Sequence, residues 1–351
     1  MIKLISIIQF LMFSYTAYSF QYPASLLDTR INVGDHELHI VCQGQGKPTV
    51  ILEAGSGTDL STWSIVQPEI AKFARVCTYS RAGLGKSSIP NNKTQLDAVQ
   101  TTQDLHTLLS NPLIRTNSPP PYVLVGHSYG GLYVRNFLEL YPQEVAGMVL
   151  IEATSGTMTM KDYGFSDELV NALIVVNQKK DAYFKRHPEV SEEELKTVKP
   201  NQELITKIKA QSVPNNLIRS INCLRQLEFN DMARLDKMNR KHPHFLGSKP
   251  LVVIITEQNE MIDLVSHYRV LKNFVSAVIN DDQRDAFSAI FKLDFTKPIA
   301  LAEVEKTNML SLSTNSTLKI VKQSGHNIHL DQPKIVIDSI KNVVLTLKGQ
   351  L

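Results

Sequence analysis

Cysteine is scarce in this sequence: Cys42, Cys77 and Cys223 are the whole complement among 351 residues. Three thiols cannot build the bridged framework that holds small secreted folds together, so the fold must rest on a hydrophobic core. They leave room for one bridge with one thiol left over. Dense runs of Lys or Arg are missing too, and the formal charge is only +3, which gives no basis for binding nucleic acid. No internal repeat or low-complexity segment breaks the chain.

Long apolar runs are absent with one exception, Leu4 to Phe13, which follows Lys3. A more polar stretch, Ser14 to Ser19, comes next, with Ala17 and Ser19 at small-residue cleavage positions. This is the layout of a secretory signal peptide over residues 1–19, with cleavage expected after Ser19. The competing reading is an uncleaved membrane anchor, since no charge appears between Lys3 and Asp28. Ser14, Thr16, Gln21 and Pro23 would make a poor hydrocarbon-spanning helix. The expectation is a secreted or periplasmic protein with no stable membrane span after cleavage, and a membrane-anchored chain is the alternative. No cysteine closely follows the run, which argues against lipid attachment there.

What remains is an ordinary globular composition, 43% hydrophobic and 20% charged. The length suits one long domain with insertions or two domains.

From about residue 36 the chain alternates strands and helices. His36 to Val41 reads as a half-exposed strand, and Pro48 to Leu52 as a buried one. Glu53-Ala54-Gly55-Ser56-Gly57 then forms a loop, followed by a helix carrying Trp63, Ile65, Val66, Ile70 and Phe73. Val76 to Tyr79 is a further strand, running into Ser80-Arg81-Ala82-Gly83-Leu84-Gly85-Lys86-Ser87. Gln95 to Leu109 has helical spacing and stops at Asn111-Pro112.

The stretch from Tyr122 to Pro142 organises the rest. A Val-rich strand, Tyr122 to Val125, passes through Gly126-His127-Ser128-Tyr129-Gly130-Gly131 into a helix with Leu132, Val134, Phe137, Leu138 and Tyr141 at helical spacing. Gly-x-Ser-x-Gly alone is a weak signal, because both residues are common in turns. Between a strand and a helix it becomes a nucleophile elbow, which lifts the Ser128 hydroxyl clear of the sheet above a helix N-terminus that favours negative charge.

The strand Gly147 to Ile151 ends in Glu152. From residue 155 to 248 the rhythm gives way to charged, helical sequence that reads as an inserted cap. It resumes at the strand Pro250 to Thr256, and a second helical insertion spans about 261–313. The strand Thr317 to Val321, a loop containing His326, and a helix from Pro333 to about Leu347 close the chain. The fold class is therefore α/β, a mostly parallel sheet flanked by helices, with core segments 20–154 and 249–351.

Four segments, LEAGSGTDLSTW, YSRAGLGKS, VGHSYGG and SGHNIHLDQP, occur in this order with strands between them. Together they resemble the α/β-hydrolase superfamily over nearly all of the expected mature chain. The resemblance implies Ser128 as nucleophile and His326 as general base. It places the oxyanion hole at the backbone amides of Tyr129 and Ser56, with Ala54-Gly55 replacing the family's His-Gly pair. Ser80 stands where relatives usually carry Asp, a change read as structural.

The orienting acid is less direct. Its usual slot, past the strand ending at Thr256, holds Asn259, with Glu257, Glu260 and Asp263 close by. The alternative slot, at the end of the strand after the nucleophile helix, holds Glu152. The carboxylate there favours Glu152, with Glu260 and Asp263 as alternatives and an end-of-strand cap as its plain structural reading.

The implied function is hydrolysis of a small-molecule carboxylic ester, or a thioester or amide, through an acyl-serine. Haloalkane dehalogenase and epoxide hydrolase chemistry is disfavoured, because those relatives carry Asp at the elbow. The alternative is a non-catalytic ligand-binding protein on the same fold. No cofactor is expected. His326 and His329 make an H-x-x-H, but nothing nearby in sequence completes a metal site. The resemblance also makes the strands of Cys42 and Cys77 neighbours, so the two are either bridged or a pair of buried thiols, with Cys223 free in the cap.

Overall fold

The computed structural model describes residues 26–90, 98–154, 244–257 and 306–349. The expected signal peptide, most of the cap and most of the second insertion lie outside these residues, as do Cys223, Asn259, Glu260 and Asp263.

The strands are β1 (Leu27–Asn32), β2 (Glu37–Gln43), β3 (Val50–Glu53), β4 (Val76–Ser80), β5 (Tyr122–His127), β6 (Val145–Ile151), β7 (Leu251–Thr256) and β8 (Ser316–Val321). They form one eight-stranded sheet in the order β1-β2-β4-β3-β5-β6-β7-β8. β2 pairs antiparallel with β1 and β4, and every pairing from β4 to β8 is parallel. Parallel strands need crossover helices, and those helices cover both faces.

Alternate residues of one strand serve different cores. Val123 and Val125 of β5 join a cluster with Val50, Leu52, Val149 and Ile151, covered by α1 (Val66–Ile70) and the closing helix α6 (Pro333–Gly349). Leu124, one residue out of phase, joins Ile51, Met148, Leu150 and Val253 on the other face. That face is covered by Leu105, Leu108 and Leu109 of α2 (Ala98–Ser110), by Ile114 of the short α3 (Pro112–Arg115), and by Val134, Phe137 and Leu138 of α4 (Gly130–Leu140). α6 presents Val336, Ile340, Val343 and Val344 to the sheet, an i, i+4, i+7, i+8 stripe. Each such buried side chain contributes roughly 1.5–3 kcal/mol relative to exposure.

Two local expectations need correction. β2 is not half-exposed: Leu38 to Cys42 are all buried. The strand lies between β1 and β4 and its polar residue is partnered, with His39 Nε2 2.6 Å from Asp28 Oδ1. The single helix expected after residue 57 is a 3-10 turn, Leu60–Trp63, and then α1. Pro68 explains the break. An α-helix continuing from Leu60 would need an N–H at position 68, whereas proline is tolerated within the first turn of a new helix.

The ends of the two insertions meet on the core. His244 N–H donates to Ser311 O at 2.8 Å, and Leu246 N–H to Leu312 O at 2.9 Å. Residues 306–310, helical, lead into this pairing. Among the described residues no helix is long and apolar enough to cross a membrane.

Cys42 and Cys77 are directly opposed in the β2–β4 pairing and are joined as a disulfide. The bridge closes a sequence separation of 35 residues within the buried core. Thiol titration of the denatured, unreduced protein should therefore find one free thiol per chain, rising to three after reduction. Replacing both bridged cysteines by Ala should lower stability by about 2–5 kcal/mol in denaturant melts.

Candidate active site

Ser128 occupies the junction of β5 and α4 with φ of +53°. Left-handed dihedrals are costly for a non-glycine residue and persist only where the surroundings enforce them. Here the Ser128 N–H donates to Ile151 O at 3.0 Å, while its carbonyl accepts from Gly131 N at 2.9 Å and Thr154 N at 3.0 Å. The glycines expected at the turn are sterically required at two places. A Cβ on Gly126 would lie 2.6 Å from Gly130 O, and one on Gly130 would overlap the backbone of Glu53 and Ala54. The strand-to-helix turn predicted from the sequence is thus present, with the Glu53–Ser56 loop against it.

That loop comes close to the nucleophile. A Cβ on Gly55 would stand 3.3 Å from Ser128 Cβ and 3.1 Å from His127 Nδ1. Ser56 is the next residue, and Tyr129 is the N-cap of α4 directly after Ser128. The residues of the two expected oxyanion amides thus directly follow Gly55 and Ser128 in the chain.

His326 is brought to the same place from the far end of the chain. It follows β8, and its carbonyl accepts a 3.0 Å hydrogen bond from His127 Nε2. The two imidazoles lie 4.6 Å apart, centroid to centroid. The loop around His326 is braced from below. Asp331 Oδ2 accepts from Gly325 N at 2.9 Å, and Asn327 O accepts from Leu330 N at 2.7 Å in the short helix α5 (Ile328–Asp331).

Glu152 follows β6 with φ of +42° and is buried. Its N–H donates to Ile254 O at 2.8 Å, and its carboxylate Oε1 accepts from Thr256 N–H at the end of β7. It adjoins Ile151, whose carbonyl holds the Ser128 amide. Glu257 turns elsewhere: its exposed carboxylate lies 3.6 Å from Lys322 Nζ. Ser80 is buried, its hydroxyl accepts from Leu60 N–H at 3.3 Å and would lie 2.7 Å from a Cβ on Gly85.

The sequence reading assigned no role to His127, His329, Glu53 or Arg81, although each stood in a quoted motif. His127 donates through Nε2 to a carbonyl, which places the lone pair on Nδ1. Burial, followed by the His326 and His329 rings, pushes its pKa well below the ordinary 6.5. A neutral His127 puts no positive charge beside His326. His329 packs 4.4 Å from His127 and 4.7 Å from Trp63, ring to ring, with Nε2 2.8 Å from Thr62 Oγ1. Burial and then His326 lower its pKa to about 4. Its other nitrogen, Nδ1, is buried and has no hydrogen-bond partner among the described residues. Among the described residues no group of three His, Cys, Asp or Glu side chains could hold a metal ion.

A strained serine on a strand-to-helix turn, the Gly55 loop against it and this strand order agree with the comparison with known families. The model of the alpha/beta hydrolase fold matches residues 48–287. The chain belongs to that family. A protein of the AB hydrolase superfamily from Gibberella zeae is 23% identical over 305 residues, covering 85% of this chain and 86% of that one. A protein named "Probable transporter efuK" from Hormonema carpetanum is 30% identical over 131 residues, 36% of this chain, and the match spans only 18% of that protein's length. Among solved structures, an esterase from Thermogutta terrifontis superposes with a TM-score of 0.51 at 17% identity, over 92% of this chain and 99% of that one. An epoxide hydrolase gives 0.55 at 15% identity, over 92% and 100%. At these identities the structural likeness speaks to fold alone.

The buried histidines make stability depend on pH. An unfolded imidazole takes its proton near pH 6.5, but folded His329 takes it only near pH 4. Between these values the unfolded chain holds more protons, so acidification favours unfolding. The contribution of His329 is complete above pH 6.5 and is lost as pH falls toward 4. His127 acts in the same direction. Thermal melts from pH 7.5 to 4.5 should show a falling midpoint, and His329→Gln, which keeps a group for Thr62, should flatten that slope.

Proposed function

We propose that this protein is a serine hydrolase that cleaves a small-molecule carboxylic ester through an acyl-serine intermediate. Thioesters and amides are substrates the same groups could handle. The observation that carries the reading is the enforced left-handed backbone of Ser128 at the β5–α4 turn. Such a turn lifts a hydroxyl off the end of an interior strand and serves no packing purpose that a glycine would not serve better.

In this reading His326 takes the Ser128 proton as Oγ attacks the ester carbonyl, and the resulting oxyanion is held by the amides of Ser56 and Tyr129. Collapse of the tetrahedral species breaks the bond to the alcohol, which leaves with the proton from His326. Water, activated by the same imidazole, then releases the acid and restores Ser128. Glu152 orients His326 and stabilises its cation. Support for Glu152 comes from its burial and its place beside Ile151, the elbow's partner. Glu260 and Asp263 are the competing positions. A serine at the elbow argues for acyl transfer over the epoxide chemistry named in one structural relative. We further propose export by a cleaved signal peptide, a reading with which a bridged cysteine pair agrees.

A fluorophosphonate probe should label the wild-type protein and not Ser128→Ala. Ser128→Ala and His326→Ala should each lose on the order of a thousandfold or more in ester turnover with unchanged melting. Near-wild-type turnover in either variant would reject the mechanism. Glu152→Gln keeps an oxygen for the Thr256 amide, so its activity reports charge more than fold. It should lose several orders of magnitude, as when the imidazole is held in the wrong tautomer. If Glu260→Gln or Asp263→Asn collapses instead, the acid lies after β7.

A further inference from the structure

Beneath the proposed oxyanion loop lies a buried ion pair. Glu53 is fully buried and Arg81 is 6% exposed. Arg81 Nη1 donates to Glu53 Oε1 at 2.7 Å and to Ala54 O at 2.7 Å, and Nη2 donates to Gly55 O at 2.6 Å. The guanidinium carbon sits 5.0 Å from the centroid of the Tyr133 ring, which α4 supplies. Glu53 Oε2 accepts from the Tyr79 hydroxyl. A buried pair of this kind is weak evidence for a stabilising role, because desolvation offsets most of its attraction. Its direction is more informative, since two of the guanidinium's donors go to consecutive carbonyls of one loop.

The Gly55 carbonyl takes further donors, Thr58 Oγ1 at 3.0 Å and Thr58 N at 3.4 Å. In a trans peptide the N–H points away from the C=O, and Gly55–Ser56 is not one of the cis bonds. Anchoring Gly55 O on Arg81 therefore turns the Ser56 N–H to the opposite side of the loop. A cation on the carbonyl oxygen also draws charge through the peptide and makes that N–H a stronger donor. The loop runs beside Ser128, as the 3.3 Å clearance at Gly55 shows.

We propose that Arg81 is the positioning residue of the oxyanion hole, fixing and polarising the Gly55–Ser56 peptide while Glu53 and Tyr133 hold its guanidinium in place. The proposal rests on the acyl-serine reading and adds to it a residue that never touches substrate. Arginine suits the task because its planar fork serves three acceptors at once, which a lysine ammonium on a flexible stem cannot do in one geometry. The oxyanion exists only in the transition state, so loss of this support should lower kcat and leave KM nearly unchanged.

The test compares wild type, Arg81→Lys and Thr58→Val. It uses a p-nitrophenyl ester that the wild type hydrolyses, and an alkyl trifluoromethyl ketone that forms a tetrahedral oxyanion adduct with serine. Arg81→Lys should lose about tenfold to a hundredfold in kcat, less than the loss of an oxyanion donor outright, with a matching fall in ketone affinity. Thr58 is exposed, so Thr58→Val should fold whatever happens to the buried variant. It removes one hydroxyl from Gly55 O and should lose about fivefold in the same two readouts with KM held. Wild-type kcat and ketone affinity in Thr58→Val and in folded Arg81→Lys would overturn the proposal, as would losses confined to KM. If wild-type turnover survives Ser128→Ala, the acyl-serine reading fails first and this proposal falls with it.

Discussion

A chain leaving a buried parallel strand can enter a helix above it within one residue only by adopting a left-handed backbone. At Ser128 that conformation is held on both sides, by the Ile151 carbonyl beneath its N–H and by the Gly131 and Thr154 amides on its carbonyl. The rest of the site depends on this turn. It forces glycine at positions 126 and 130, and the glycine at 130 lets the backbone of Glu53 and Ala54 close in. It also sets His127 where its ring can reach the carbonyl of His326. The constraint costs about 1–3 kcal/mol locally, which the apolar clusters on both sheet faces easily outweigh.

Around that turn the protein keeps charge and neutrality apart. On the side of the Ser56 loop a full cation, Arg81, is buried against Glu53 and two carbonyls. On the side of His326 the neighbouring imidazoles are pushed toward the neutral form by burial, His329 to about 4 and His127 well below its ordinary value. In the proposed mechanism His326 would accept its proton beside neutral rings, while the developing anion would face a peptide backed by the Arg81 cation. Interchanging these surroundings would weaken both proposed roles.

Much of this was legible in the sequence, for physical reasons that differ by element. β3, β5, β6 and β7 are buried on both faces and appear as short unbroken Val, Ile and Leu runs. The turn at Ser128 was legible because its glycines flank a strand and a helix whose periods are unmistakable. β2 misled, since its polar positions are buried with partners such as Asp28. The helix after the Ser56 loop misled because apolar spacing says nothing of the break Pro68 imposes. Glu53 and Arg81 escaped notice since they meet only when β3 is laid beside β4, a neighbour relation of the sheet. For Cys42 and Cys77, adjacency could be inferred, but burial accommodates two thiols as readily as a bridge. The acid stayed open because several carboxylates stand near the two slots, and only the path of the chain after Thr256 tells them apart.

The hydrogen bond from His127 to the His326 carbonyl spans 199 residues of sequence. Its two ends leave the ribosome far apart in time, on the order of tens of seconds at ordinary rates of synthesis. A nascent chain can complete the elbow and the strands around it long before residue 326 is made. Any chain ending before β8 would lack His326, so in the proposed mechanism the site is assembled last. On that mechanism the reactivity of Ser128 would be tied to completion of the chain, an ordering written into the connectivity of the sheet.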